Sequence, residues 1–107
     1  MCIRDRVNYS VAVSKKVAKH NVIINNILPG MHHTDSIKNK FNKLAQEKGS
    51  TYDKEIEKFV KDWKIPAKKF GSSNDLGSFV AMFCSQQASY VIGQSLVIDG
   101  GIGNTTF

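Results

Sequence analysis

Cysteine and long apolar runs, which mark disulfide-stapled and membrane-spanning proteins, are scarce in this chain of 107 residues. Its two cysteines, Cys2 and Cys84, form no CxxC and no metal-ligand spacing, so neither a disulfide framework nor a metal site is indicated. No apolar run approaches the roughly 20 residues that a membrane-spanning helix needs, and no apolar segment of a signal peptide follows residues 1–6. These absences predict a cytoplasmic protein with no membrane partner.

The chain carries 15 basic against 9 acidic side chains, a net charge of +6. Ten lysines and six acidic residues between Asp35 and Lys69 are spread through a helical pattern rather than packed in a block, and the aromatic residues among them recur at helical spacing. This pattern is typical of a solvated helix face above a packed face, so we expect no nucleic-acid partner. The alternative interpretation is a small basic binding or scaffold domain, which strong salt dependence of nucleic-acid binding would favour.

Apolar periodicity predicts an α/β chain. In chain order, the pattern predicts a helix at 10–19, a strand at 22–28, two helices within 35–65, an apolar helix at 76–85 and a strand at 95–99. Strands that are separated by helices pair in parallel. Two strands are too few to cover this many apolar helix faces, so the pattern predicts part of a larger domain.

The apolar helix at 76–85 carries apolar residues on nearly every side, which predicts that it is buried against a sheet or another subunit. Cys84 lies in this helix and is expected in the core, while Ser73 and Asn74 are the candidates for its N-cap. Asn25 and Asn26 interrupt the first strand, and a buried amide needs hydrogen-bond partners. We therefore expect both asparagines to have structural roles.

Three segments resemble the short-chain dehydrogenases/reductases, and with the helix before them they cover residues 7–107. Asn25–Thr34 is similar to the family's N-x-x-x-P-G-x-x-x-T segment, and Lys69–Leu76 to its basic-x-G-x-x-x-D/E-L segment. Ala88–Gly101 resembles the closing A-S-Y-x-x-G-Q-x-L-x-x-D-G-G. The resemblance is strongest to members described as 3-oxoacyl-carrier-protein reductases.

This resemblance implies the C-terminal part of a doubly wound, parallel-sheet, NAD(P)-binding Rossmann fold: its last two strands plus helices. It implies a parent enzyme that moves a hydride between NAD or NADP and a small carbonyl or secondary-alcohol substrate, with 3-oxoacyl thioesters among the candidates. The segment at 35–65 occupies the place of the family's helical substrate lid. A homotetramer or homodimer is implied for the parent, with the helices at 10–19 and 76–85 on its subunit surfaces.

The resemblance also implies a cofactor site in the first segment. Pro29, Gly30, Met31 and His32 match the loop that meets the nicotinamide carboxamide and ribose, and Thr34 matches the threonine near the cofactor phosphates. Neighbouring histidines in a loop are usually solvated, so His32 and His33 are expected to be exposed and to bind no metal.

The catalytic Tyr-x-x-x-Lys pair, the serine and the glycine-rich turn of the family have no counterpart in this chain. Four residues after Tyr9 stands Val13, where the family's pair would have lysine. Alignment places the family's tyrosine near position 3 and its lysine near position 7. Residues 1–6 resemble a translated transposase sequencing adapter, which predicts an artefact at that end. We therefore expect no catalytic residue, no turnover and no stable independent folding.

Overall fold

The computed structural model describes residues 3–103, with side chains from residue 4 onward. Its elements are α1 (Ile3–Val17), a 3₁₀ turn (Ala18–His20), β1 (Asn26–Pro29), α2 (Asp35–Lys48), α3 (Tyr52–Asp62), α4 (Ser73–Phe83), a second 3₁₀ turn (Gln86–Ala88) and β2 (Ser95–Ile98). The predicted α/β order is confirmed. None of these helices is long and apolar enough to span a membrane.

The two strands form one parallel pair. The Asn26 N–H donates to the Gln94 carbonyl at 2.8 Å, and the Gly30 N–H donates to the Ile98 carbonyl at 2.9 Å. Both strands advance by the same four residues between these bonds, which fixes a parallel register. This register brings the ends of β1 and β2 side by side.

Strand β1 is shorter than the pattern predicted, because residues 22–25 do not join the ladder. Asn25 makes side-chain contacts in place of strand pairing: its Nδ2 donates to the Val91 carbonyl at 2.8 Å, and its Oδ1 accepts from the Gln94 N–H at 2.9 Å. The structural role predicted for Asn25 is confirmed. The Asn26 Nδ2 is buried and has no hydrogen-bond partner among the described residues.

The chain divides into two compact units, and the first contains the chain up to Leu28 together with Gly77–Val97. In this unit α1 begins seven residues before the predicted start at Ser10, because residues 3–9 continue the helix. Ser14 is fully buried, with its Oγ donating to the Val11 carbonyl at 2.6 Å. Gly93 adopts a φ of +68° here, and an added Cβ would lie 2.6 Å from the Ser14 Oγ.

Among the described residues, the second unit contains Pro29–Leu76 and residues 98–103. Its core consists of four buried side chains from α2, α3 and the segment that follows them: Phe41, Ile56, Ile65 and Phe70. The Phe70 ring meets Phe41 and Phe59 edge to face, at centroid distances of 5.8 and 5.4 Å. These contacts seat the α2–α3 pair, so the packing role expected for most of its aromatic residues is confirmed.

Local sequence fixes the ends of the α2–α3 pair. Thr34 and Thr51 cap the two helices, each accepting a backbone N–H bond at 3.3 Å. Gly49 ends α2 in the left-handed region at φ 63°. Glycine at a left-handed helix end and threonine at an N-cap are the residues that these positions favour.

Of the two partners predicted to bury α4, a sheet or another subunit, the sheet does not cover it, and the predictions that Cys84 lies in the core and that Ser73 or Asn74 is the N-cap are wrong. Phe79, Val80 and Met82 are exposed at 44%, 42% and 50%, and no residue of the helix is buried. Cys84 is exposed as well. Two strands of four residues offer too little surface to cover an apolar helix.

The N-cap of α4 is not one of the two predicted residues. Ser72 supplies it, because its Oγ accepts from the Asp75 N–H at 3.3 Å. Ser73, one of the two candidates, is the first helical residue and directs its hydroxyl to the His33 carbonyl at 2.6 Å. Asn74, the other candidate, lies within the helix.

Candidate functional site

Residues 29–34, the last residue of β1 and the loop that leads to α2 (the 29–34 loop), lie in the second unit at the end of the sheet. Gly30 is required there, because an added Cβ would lie 2.7 Å from the Cβ of Asp99. The backbone segments at residues 30 and 99 can approach this closely only because glycine has no side chain. The loop backbone is therefore held directly against the end of β2.

Asp99 closes the end of β2. Its two carboxylate oxygens accept the N–H groups of Gly101 at 2.9 Å and Gly103 at 3.0 Å. Gly100 and Gly101 have φ values of +66° and +88°, which favour glycine. Asp99 and these two glycines form the tight turn that ends the strand.

His32 is buried, with 5% of its surface exposed, so the prediction of solvated paired histidines is wrong for this residue. Its Nδ1 donates to the Gly30 carbonyl at 3.1 Å. A parallel bridge draws the loop against Gly71: the Gly71 N–H donates to Met31, and the His33 N–H donates to Gly71, both at 2.9 Å. The imidazole packs over Gly71, where an added Cβ would lie 2.6 Å from its Nε2.

His33 is half-buried and joins the loop to α3. Its Nδ1 is hydrogen-bonded to the Tyr52 hydroxyl at 2.7 Å, and its ring lies 5.5 Å from the Phe70 ring. Burial, and then the negative charge of Asp53, raise the pKa of Tyr52 above its ordinary value of 10.0. Sequence reasoning missed this pair, because no local pattern indicates that residues 33 and 52 meet.

The structure brings all five predicted cofactor-site residues into one short loop. Pro29 and Thr34 are exposed, while Met31 is half-buried against the core of the second unit. Among the described residues, the N–H groups of Met31 and His32 donate to no backbone or side-chain acceptor. Two free donors in a loop fixed on both sides can bind a carbonyl or phosphate oxygen.

A small cavity lies behind this loop, with a volume of about 90 Å³. Its walls include Met31, His32, Ile65 and Asp99. Ligand pockets usually measure about 300–1,000 Å³, so this cavity does not hold a substrate. Across residues 3–103, no three metal-ligating side chains come together.

A family model described as "Enoyl-(Acyl carrier protein) reductase" matches residues 8–103. The chain belongs to the short-chain dehydrogenase/reductase family. Its residues are 32% identical over 95 positions to the NADPH-dependent reductase BacG of Bacillus subtilis, covering 89% of this chain and 36% of that protein. They are 27% identical over 96 positions to the 3-oxoacyl-[acyl-carrier-protein] reductase FabG of Aquifex aeolicus, covering 90% of this chain and 34% of that protein.

Solved structures of short-chain reductases have the same fold. L-sorbose reductase from Gluconobacter frateurii, solved with NADPH and L-sorbose, superposes with a TM-score of 0.84 at 26% identity, over 94% of this chain and 38% of its own. YwfH, an NADPH-dependent reductase of bacilysin biosynthesis, superposes with a TM-score of 0.76 at 30% identity, over 94% of this chain and 37% of its own. The predicted Rossmann fold class is confirmed.

This short-chain dehydrogenase/reductase chain spans about a third of the length of the curated relatives it matches, 36% and 34% for the first two. The matched region begins at residue 8, one residue after the start predicted from the motifs. Of residues 1–6, whose origin stays a prediction, the first two lie outside the described residues. Residues 3–6 form the first turn of α1.

Proposed function

We propose that this chain is the C-terminal part of an NAD(P)-dependent oxidoreductase that transfers a hydride between the nicotinamide cofactor and a carbonyl or secondary alcohol. The observation that carries the proposal is the 29–34 loop, which has two free N–H donors and is held on both sides by glycine contacts. Relatives described as NADPH-dependent reductases support it. A 3-oxoacyl thioester is the first substrate to test, because FabG is among the relatives.

The loop residues fit the nicotinamide side of a cofactor. The free N–H groups of Met31 and His32 would hold its carboxamide oxygen, and Pro29, which is exposed beside them, would contribute an apolar contact. Thr34, exposed at the N-terminus of α2, directs its hydroxyl and the positive end of that helix at a phosphate. When bound, the cofactor supplies the hydride.

The α2–α3 pair acts as the substrate lid in this proposal. Its aromatic residues pack on Phe70, and the His33–Tyr52 hydrogen bond joins α3 to the 29–34 loop. Both contacts support a lid that is fixed to the cofactor loop at its base. Tyr9 is 69% exposed on α1 and is followed by Val13, so it has no catalytic role here. The general acid and its lysine belong to the rest of the parent protein, and this chain alone has no turnover.

Self-association of the parent through α4 is part of the same proposal. The exposed apolar side chains of α4 support it, because contiguous apolar surface of this kind usually lies in a protein interface. A homodimer or homotetramer, with two copies of α4 in contact, would cover this surface. The cytoplasmic location expected from the sequence stays a prediction.

The proposal is tested in the full-length gene product with Thr34→Asp, numbered as in this chain. Aspartate is as good an N-cap as threonine, so the fold is kept, but its charge repels a phosphate. We expect the KM for NADPH or NADH to rise about tenfold or more, measured by the absorbance of the reduced cofactor with a panel of carbonyl substrates.

Thr51→Asp is the matched control, because Thr51 caps α3 with the same 3.3 Å bond and lies outside the loop. An equal change of KM in both variants would contradict the cofactor site at Thr34. The scaffold-domain alternative predicts no cofactor-dependent turnover in the full-length protein and strongly salt-dependent retention on heparin.

A further inference from the structure

A groove of about 460 Å³ lies at the end of α3 and shares only Ile65 with the walls of the small cavity behind the 29–34 loop. Its floor consists of Val60, Ile65 and Pro66, and its charged walls consist of Lys61, Lys64 and Lys68 with Glu57. The volume falls within the range of about 300–1,000 Å³ that is typical of ligand sites. All of these residues belong to the second unit.

Lys64 holds a backbone position that glycine usually occupies. The Ile65 N–H donates to Val60 at 3.1 Å and the Lys64 N–H donates to Lys61 at 3.2 Å, the two bonds of a Schellman motif. Lys64 is its left-handed residue, with φ 50°. In α2, Ser50 and Gly49 make the corresponding bonds to Ala45 and Gln46, and there the left-handed residue is glycine.

Lys68, four residues later, also has a left-handed backbone conformation. Its φ is 59°, and its N–H donates to the Ile65 carbonyl at 2.9 Å. A lysine is unfavourable in the left-handed region, and such residues concentrate at functional sites. Two of the three lysines in the groove therefore hold their positions against the preference of the backbone.

The groove is formed by a fixed backbone. The Ala67 N–H donates to the Gly100 carbonyl at 2.9 Å, and the Pro66 ring fills the space beside Gly101, where an added Cβ would lie 3.1 Å from the Pro66 Cγ. Lysines on a fixed segment lose little backbone freedom when they bind a ligand. This favours a preformed site over three independent surface lysines.

The positive charge of the groove is uncompensated. Three lysines and one glutamate line it, which leaves a net charge of +2. Within residues 3–103, none of the three lysines forms an ion pair. Lys61 and Lys64 also face the negative end of the α3 dipole, but Lys68 lies outside that helix, so the dipole does not account for the whole cluster.

We propose that this groove binds a small amphiphilic anion, a phosphate monoester or carboxylate that carries a short alkyl chain. The anionic group binds the ammonium groups of Lys61, Lys64 and Lys68, and the alkyl chain covers Val60, Ile65 and Pro66. This binding requires no cofactor and no turnover, so it is independent of the proposed oxidoreductase function.

Isothermal titration of the full-length protein with octyl phosphate, below its micelle concentration, tests the proposal. The variant is Lys64→Gly/Lys68→Gly, because glycine accepts both left-handed conformations and keeps the backbone path. We expect its affinity for octyl phosphate to fall about tenfold or more, as the loss of charge-assisted hydrogen bonds requires.

The control is Lys48→Gln/Lys54→Gln, which removes the same charge from lysines outside the groove and should change affinity less than about twofold. Octanol and inorganic phosphate should each bind far more weakly than octyl phosphate, since octanol lacks the anionic group and inorganic phosphate lacks the alkyl chain. Equal binding of inorganic phosphate would overturn the amphiphilic ligand, and equal losses in both variants would overturn the groove as the site.

Discussion

The imidazole of His32 occupies the space where a side chain at position 71 would begin. The parallel bridge between His32 and Gly71 holds the backbones of both segments in place, so neither can move aside. Gly30 has the same relation to Asp99. Two glycines, far apart in sequence, thus set the path of the candidate cofactor loop.

We expect Gly71→Ala to lower the free energy of unfolding by about 1–3 kcal/mol, because the new methyl group overlaps His32 in a packed interior. Urea unfolding of the full-length protein measures it. Gly77→Ala is the control: no atom lies within 4 Å of its added Cβ and the residue is helical, so we expect a gain of about 0.5–1 kcal/mol. A neutral Gly71→Ala would contradict the close contact with His32.

The left-handed residues that end α2 and α3 allow a reciprocal test. We expect Lys64→Gly to raise the free energy of unfolding by about 0.5–1 kcal/mol, and Gly49→Lys to lower it by at least as much. The same urea titration measures both. Lower stability of Lys64→Gly would mean that the lysine side chain itself supports the fold, which the groove proposal does not require.

Individual elements differ in how far the sequence could predict them. The ends of α2 and α3 depend on residues within one turn, so Gly49 and Thr51 were predictable. The burial of His32 depends on Gly71, and the exposure of α4 depends on how much sheet is available to cover it. Neither condition is visible in the local pattern, which explains why the exposure predicted for His32 was wrong and why the pattern could not tell whether the sheet covers α4.

The candidate site likewise combines features that the local sequence predicts with features that depend on distant residues. A motif of consecutive residues placed Pro29–Thr34 in one loop. The bond between His33 and Tyr52 joins residues 19 apart, and the groove depends on left-handed backbone at two lysines. Left-handed backbone at a lysine has no sequence signal, so these features required a structure.

The His33–Tyr52 bond attaches α3 to the loop, and Tyr52→Phe removes it. We expect a loss of about 1 kcal/mol at neutral pH, the usual contribution of a hydrogen bond. The raised pKa of Tyr52 means that the folded state holds the hydroxyl proton more tightly than the unfolded state. The contribution of the protonated Tyr52 hydroxyl to the free energy of unfolding is complete below pH 10.0 and is lost as the pH rises through the raised pKa.

The stability difference between the native protein and Tyr52→Phe should therefore shrink as the pH rises above 10.0. Urea titrations from neutral pH into this range measure the difference. Tyr9→Phe is the control, because the Tyr9 side chain is 69% exposed and should give a small difference at every pH. A difference at Tyr52 that grows with pH would contradict a raised pKa for its hydroxyl.

At the scale of the whole molecule, the apolar face of α4 predicts self-association of the full-length protein. Phe79→Glu/Met82→Glu places charges on that face and should weaken association about tenfold or more. Sedimentation velocity over a concentration series measures the change. Lys43→Glu on α2 should leave the association unchanged, and an unchanged assembly in the α4 variant would place the interface elsewhere.

The parallel strand pair has a consequence for the order of events during synthesis. Its side-chain clamp joins Asn25 to Gln94, residues 69 apart in sequence, whereas α2 and α3 pack against each other as neighbours. Contacts of long sequence separation form late. A ribosome adds about 5–20 residues each second, so β1 is synthesised about 3–14 seconds before the segment that pairs with it. Throughout that interval the backbone N–H and C=O groups of β1 have no partner in β2.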